Sequence, residues 1–257
     1  SATTSAKDIA HKSLVVNLSD IAAMGAKAKY FTLALSIPKI DKSWLQDFSN
    51  SLKHLSEQYE VSLVGGDTTR GPLNITITMI GMVERSKALT RSGARPGDGI
   101  YVSGTIGDAG FCFWKLSNDL IPSNQEFKRL NCPIPRIELG LVLKNLASAC
   151  IDVSDGLEQD LSHILTASSV GAVVEVEKIP ISEALLCHIN DTNDWSIPIC
   201  GGDDYELCFT IPEGNEETLK KISKSCNVNI TRIGVISESL GLQIKGFKGP
   251  RKSYQHF

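Results

Sequence analysis

Tyr30 to Ile37 (YFTLALSI), Asp41 to Tyr59 (DKSWLQDFSNSLKHLSEQY) and Asn74 to Val83 (NITITMIGMV) follow one another along the chain, and their periodicities set the first unit of the fold. In the middle stretch Trp44, Leu45, Phe48, Leu52, Leu55 and Tyr59 recur at helical spacing, with Lys53, Glu57 and Gln58 on the opposite side. That pattern predicts an amphipathic helix. Tyr30 to Ile37 reads as a strand. Asn74 to Val83 sets Ile75, Ile77 and Met79 against Thr76 and Thr78, the alternation of a half-buried strand, and Val61 to Val64 reads as a shorter strand between. The expected unit is a set of half-buried antiparallel strands carrying a helix.

Downstream, Leu89 to Asp98 (LTRSGARPGD) gathers two glycines and a proline among polar residues. Such a stretch marks a junction, which divides the chain into an expected domain at 1–90 and a second at 91–257. The second domain is predicted to carry a strand at Ile100 to Ser103, a Gly-rich turn and the apolar run Phe111 to Leu116. Helices are expected at Arg136 to Ala149, Gly156 to Ala167 and Glu216 to Cys226, with strands at Ala172 to Val176, Glu206 to Ile211 and Ile230 to Ile236. Without a strict βαβα order, the fold class is α+β in two domains, an N-terminal mixed or antiparallel sheet with helices and a C-terminal α/β-type sandwich.

A chain of 257 residues, 42% apolar and 21% charged, is long enough to bury a full core, which excludes disorder as its main state. Twenty-six Lys and Arg against 29 Asp and Glu give a net charge of -3 with no block of like charges. A nucleic-acid partner, which requires concentrated basic residues, is therefore not expected. No apolar run approaches the roughly 18 residues that span a bilayer, and the first residues lack a secretory pattern, so a cytoplasmic protein without a membrane partner is expected. Seven cysteines with no C-x-x-C pair read as reduced thiols packed as small apolar groups.

Four short motifs set an acid beside Gly or Ser: Asn17-Leu-Ser-Asp20, Gly65-Gly-Asp67-Thr-Thr-Arg70-Gly-Pro72, Asp152-Val-Ser-Asp155-Gly156 and Gly201-Gly-Asp203-Asp204-Tyr-Glu206. Each is expected at a boundary between elements. Carboxylates converging from several such boundaries suit Mg²⁺, a hard ion that takes oxygen ligands and shares its shell with phosphates. Glycines beside them let phosphate oxygens approach backbone amides. The same residues also read as ordinary punctuation: Ser19 or Asp20 as the N-cap of a helix from Ile21 to Ala26, Ser154 or Asp155 as the N-cap of the next helix, and the Gly-Gly pairs as turns. Between a strand and a helical run, Gly104-Thr-Ile-Gly107-Asp-Ala-Gly110 offers amide donors, and a phosphate-cradling loop and a tight turn are both open there. Arg91 and Arg70 are candidates for bidentate phosphate binding. The five histidines show no ligand spacing, and no Ser or Cys nucleophile motif is present.

Taken in order, Val16 to Ala26 (VNLSDIAAMGA), Leu63 to Pro72 (LVGGDTTRGP), Leu89 to Ala94 (LTRSGA), Ile151 to Leu157 (IDVSDGL) and Gly201 to Leu207 (GGDDYEL) resemble the thiamine-monophosphate kinases of the aminoimidazole-ribonucleotide synthetase superfamily. The resemblance runs from about His11 to Phe257. It implies ATP-dependent phosphorylation of thiamine monophosphate to thiamine diphosphate by direct transfer, with several Mg²⁺ ions, no covalent nucleophile or general base, and a homodimer paired through its first domains. By motif match, Asp20, Asp67, Asp152 and Asp155 are implied Mg²⁺ ligands. Gly66, Asp67, Arg91 and Ser154 are implied ATP contacts, and Asp203 and Tyr254 implied substrate contacts. The family opens with a longer N-terminal segment that includes a Gly-Asp-Asp motif, so the sequence beginning at Ser1 is expected to omit part of a longer chain. Competing readings are another superfamily ligase or synthetase with a different phosphorylated substrate, and a nucleotide-binding module without catalysis. The substrate end, Asp203 and Tyr254, is where these would differ.

Overall fold

The computed structural model describes residues 4–247 and Gly249, so Tyr254 lies outside the described residues. In chain order the elements of the first unit are α1 (Ala6–Ala23), β1 (Lys27–Ile37), α2 (Lys42–Gln58), β2 (Ser62–Arg70) and β3 (Asn74–Met82). Both helices begin at side-chain caps: the Ser5 hydroxyl accepts from Asp8 N at 3.1 Å, and Asp41 Oδ1 accepts from Ser43 N and Trp44 N at 3.0 and 3.1 Å. These caps satisfy amide donors that the helices cannot pair internally.

The three strands form one sheet in the order β2-β1-β3. β3 is antiparallel to β1, as the alternation predicted, but β2 runs parallel to β1 with α2 as the crossover. β2 also extends well beyond the expected Val61 to Val64. The segment Gly65 to Arg70 lies inside the strand, with Leu33 opposite Gly66 and Ala34 opposite Asp67. Every residue of β2 is exposed, so no hydrophobic alternation marked it in the sequence; its backbone bonds to β1 hold it there. Gly66 has φ +145, and a Cβ at that position would meet the Leu33 carbonyl oxygen. Beneath the sheet, Leu14, Leu18, Phe31, Phe48, Leu52 and Leu55 pack with Val61 into one core.

The second unit contains β4 (Gly99–Ser103), α3 (Asp108–Ser117), α4 (Asn124–Asn131), α5 (Ile137–Leu143), β5 (Ala149–Asp152), α6 (Leu157–Ser168), β6 (Gly171–Glu175), α7 (Glu183–Thr192), α8 (Ser196–Cys200), β7 (Leu207–Ile211), α9 (Glu216–Ser225), β8 (Ile230–Ser237) and β9 (Gly241–Lys245). Six strands form a sheet in the order β5-β7-β4-β8-β6-β9, antiparallel except for the β6–β9 pair. Both faces are covered. Ile100, Val102, Ile151 and Cys208 point into a core shared with Leu157, Leu161 and Ile164 of α6. Tyr101, Cys150 and Phe209, alternating with them, join Leu139 and Leu143 of α5 and Leu219 and Ile222 of α9. This period of two with apolar residues on both sides is why β4, β5 and β7 are buried throughout.

The helix expected from Arg136 to Ala149 is shorter: α5 stops at Leu143, and Ala149 starts an edge strand. Ser148 is the hinge of this switch, its N and Oγ bonded to the Thr210 carbonyl and its Oγ to Asp98 Oδ2 at 2.5 Å. α1 belongs to both units, since Ala22 and Ala23 in its last turn sit in the core with Leu89, Leu139 and Leu143. No described helix is long and apolar enough to cross a membrane.

Candidate active site

Asn17-Leu-Ser-Asp20 is not a boundary motif. α1 starts at Ser5, so Ser19 and Asp20 occupy its last turn and neither caps a helix. The Ser19 hydroxyl is fully buried and donates to Asp152 Oδ2 at 2.7 Å. Asp152, the last residue of β5, is itself buried, and its carboxyl is pushed up to about 7, first by burial and then by the negative charge of Asp20, against the Ser19 bond that lowers it. The crowded carboxyl of Asp20 is also raised above the usual aspartate range by desolvation, with Arg91 opposing the shift. Two carboxylates and one guanidinium from three distant segments therefore share one electrostatic environment.

The turn between β5 and α6 brings Ser154 and Asp155 beside them. The side chain that collects its amides is Asp160, in the first turn of α6: Oδ2 accepts from Ser154 N at 2.9 Å and Asp155 N at 3.0 Å. Gly156, with φ +113, stands at the N-cap without a side-chain bond, so neither Ser154 nor Asp155 caps the helix. Burial raises Asp160 to about 6 despite those bonds. Nothing in the sequence motifs singled out Asp160, although an acid in a first helical turn is a recognised partner for preceding amides.

The Gly-Gly-Asp-Asp-Tyr-Glu turn folds back on the same loop: Asp203 N donates to the Ser154 carbonyl and Tyr205 N to the Val153 carbonyl, both at 2.8 Å. Gly202 packs so tightly there that a Cβ would meet the Ser154 carbonyl oxygen at 2.3 Å. Asp203 and Tyr205 both adopt positive φ, 71 and 53. The Tyr205 hydroxyl donates to Asp203 Oδ1 at 3.1 Å, and its ionisation is suppressed by burial together with the charges of Asp203, Asp152 and Asp20. Tyr205 thus joins the Asp203 end to the Asp20–Asp152 pair.

The other acids of this turn serve the scaffold. Asp204, buried and raised to about 7, accepts from Gly107 N at 2.6 Å and Ala109 N at 3.3 Å. Two amides of the Gly104 to Gly110 loop are therefore taken by a carboxylate of the chain itself, and Gly104 N and Ile106 N go to the Asn229 and Pro180 carbonyls, as in a tight strand-to-helix turn. Glu206 is buried between Arg136, at 2.6 and 2.5 Å, the Ser103 hydroxyl at 2.6 Å and Arg129 at 3.5 Å. The two arginines come from and just after α4, a helix the sequence reading did not foresee.

Gly66 and Asp67 are placed differently, in the middle of exposed β2, where Asp67 Oδ1 accepts from Thr68 N at 2.8 Å. Among the described residues no three His, Cys, Asp or Glu side chains converge closely enough to hold one ion by themselves. The residues that do converge are Asp20, Arg91 and Asp152, with Ser154 and Asp155 in the adjoining turn and Asp203 linked through Tyr205.

Residues 1–83 match the family model described as AIR synthase related protein, N-terminal domain, and residues 95–246 match the C-terminal domain model of the same family. The thiamine-monophosphate kinase of Salmonella typhimurium LT2 is 45% identical over 260 residues, covering 97% of this chain and 80% of the relative. The Escherichia coli K12 enzyme of the same name is 45% identical over 238 residues, covering 91% of this chain and 73% of that one. The chain belongs to the thiamine-monophosphate kinase family. Among solved structures, the thiamine-monophosphate kinase of Stenotrophomonas maltophilia K279a superposes with a TM-score of 0.91 at 41% identity, over 95% of this chain and 80% of that one. AaThiL complexed with AMPPCP and TMP superposes with a TM-score of 0.87 at 28% identity, over 99% of this chain and 82% of that one. The two-domain α+β fold of this thiamine-monophosphate kinase family member is therefore that of its solved relatives, and the acid cluster lies where α1 meets the turn after β5.

Proposed function

We propose that this chain transfers the γ-phosphoryl group of ATP to the phosphate of thiamine monophosphate, giving thiamine diphosphate and ADP. The observation that carries the reading is the Asp20–Asp152 pair, with the charge of Arg91 acting on Asp20, in a chain whose relatives are kinases of this name and one of whose structural neighbours is complexed with AMPPCP and TMP. A carboxyl raised to about 7 by burial and by a second carboxyl is one that a bound cation would hold ionised, so the pair fits Mg²⁺, which commonly takes one or two carboxylates and completes its shell with phosphates and water. When bound, Mg²⁺ supplies positive charge against two mutually repelling phosphates and orients their oxygens.

Asp20 and Asp152 would hold that ion, and Asp155 and Asp67 are assigned as ligands of further Mg²⁺ ions by their motifs. Arg91 presents two parallel donors to a nucleotide phosphate. Gly66 and Ser154 complete the assigned ATP contacts, and Asp203 faces the acceptor. The acceptor oxygen belongs to a phosphate already ionised near neutral pH, so the residues have to align it, and a general base adds little.

The outer face of the three-stranded sheet supports a homodimer: Tyr30, Ile80 and Met82, exposed at 46%, 48% and 63%, form an apolar surface on neighbouring strands. Work in the cytoplasm accords with an ATP co-substrate and with the lack of any disulfide among the described residues.

The test is product analysis with MgATP and thiamine monophosphate, thiamine or other phosphorylated acceptors. Thiamine diphosphate and ADP forming in equal amounts, only with thiamine monophosphate, is the expected result. Turnover of another phosphorylated acceptor in its place would overturn the reading.

A further inference from the structure

Lys12 belongs to none of the sequence motifs, yet its Nζ stands 3.0 Å from Asp203 Oδ2. The partners come from opposite units, Lys12 from α1 within the N-terminal family match and Asp203 from the loop before β7 within the C-terminal one. Asp203 is poorly free to move. Its amide is held by the Ser154 carbonyl, its backbone sits at φ 71, and its second oxygen receives the Tyr205 hydroxyl. The side chains of Lys12 and Asp203 remain 28% and 43% exposed, so this ion pair contributes little to folding, of the order of 0–1 kcal/mol.

Its placement is more informative. Ser19, which donates to Asp152, follows Lys12 by seven residues, two helical turns along the same face of α1. One face of one helix thus delivers a hydroxyl to the Asp20–Asp152 pair and an ammonium to Asp203. Arg91 offsets the acids at the first end, and Lys12 at the second.

We infer that Lys12 is a positioning residue for the acceptor: it fixes the Asp203 carboxylate and cancels its charge, so that a phosphorylated acceptor is not repelled. The inference rests on the kinase reading. It predicts a selective effect, because the group being positioned, Asp203, is assigned to the acceptor and not to the nucleotide.

The experiment compares full-length wild type with Lys12→Met, Lys12→Arg and Lys12→Met combined with Asp203→Asn. It uses steady-state kinetics in both substrates and calorimetric titration of thiamine monophosphate and of thiamine. Lys12→Met is expected to raise KM and Kd for thiamine monophosphate about tenfold or more, the scale of one charge-assisted contact, while KM for ATP and the affinity for unphosphorylated thiamine stay within about twofold. Lys12→Arg should restore most of the loss, and Asp203→Asn should relieve it by removing the uncompensated carboxylate. If Lys12→Met leaves thiamine monophosphate binding within twofold of a wild type that binds it, or weakens ATP equally, the inference falls. Wild type that binds thiamine monophosphate without turning it over would sink the kinase reading, and the titrations would still decide the role of Lys12. Wild type that does not bind it ends both.

Discussion

The Ser19 hydroxyl donates to Asp152 Oδ2 across 2.7 Å, tying the last turn of α1 to the final residue of edge strand β5. The bond is fully buried and joins the two family-matched halves of the chain at the acid cluster. Because it favours the ionised carboxylate, it works against the burial that raises Asp152.

Ser19→Ala leaves that carboxyl without its donor. A hydrogen bond to a charged group contributes about 1.5–3 kcal/mol, and urea denaturation of the variant should show a loss on that scale. The acidic limb of the pH–rate profile should also move to higher pH, since Asp152 loses the interaction that lowers its pKa. An unchanged midpoint together with an unchanged limb would show that the contact is incidental.

Asp204 gives a pH dependence of stability apart from the proposed metal site. Its folded pKa is raised from 3.8 to about 7, chiefly by burial, so the native state binds the extra proton between those values. The stability this contributes is fully present below about pH 4 and is lost as pH rises through about 7, with a limiting slope near 1.4 kcal/mol per pH unit. Asp204→Asn removes the titration and keeps an oxygen for Gly107 N, the shorter of the two bonds, at the cost of the longer one from Ala109 N. Its melting temperature minus that of wild type should therefore rise from about pH 5 and level off above about pH 7, and a flat difference would refute the assignment.

Glu206 neutralises Arg136 and lies near Arg129 in a buried network. Removing one member leaves desolvated charge behind, so Glu206→Ala should cost about 3–5 kcal/mol in chemical denaturation. Although this residue belongs to the most acidic motif of the chain, the change should act on folding first. Folded Glu206→Ala protein with wild-type stability and lost activity would contradict a scaffold role.

Asp155→Asn and Asp67→Asn test the metal assignment directly. Each should lower kcat more than about tenfold with folding intact, and raise the Mg²⁺ concentration needed for half-maximal rate. Because Asp67 lies on exposed β2 and Asp155 in the turn after β5, the two variants are informative in different ways. Loss in Asp155→Asn alone would confine the ions to the turn after β5, and wild-type kinetics in both would falsify the assignment.

Much of the scaffold was legible without coordinates because its signals are local. The period of Trp44, Phe48, Leu52 and Leu55 produced α2, and the alternation of Ile75, Ile77 and Met79 produced β3, since each pattern reports one buried face. The extension of β2 beyond Val64 and the whole of β5 escaped for opposite reasons. β2 buries nothing and is held by backbone pairing, while β5 is four buried residues whose apolar run continues that of α5. Ser19 and Asp20 were placed at a helix start because the sequence reading began the helix at Ile21, when Ser5 had already capped it far upstream.

The sequence by itself determined which residue types are available to a phosphate chemistry, and their order along the chain was enough to carry the family resemblance. Only the tertiary structure decided their roles: that Asp152 is buried against Asp20, that Asp204 and Glu206 are spent on the scaffold, and that Lys12 meets Asp203. The physical reason is that the charge state and partners of a carboxylate depend on desolvation and on neighbours 70 or more residues away, and no local pattern encodes either.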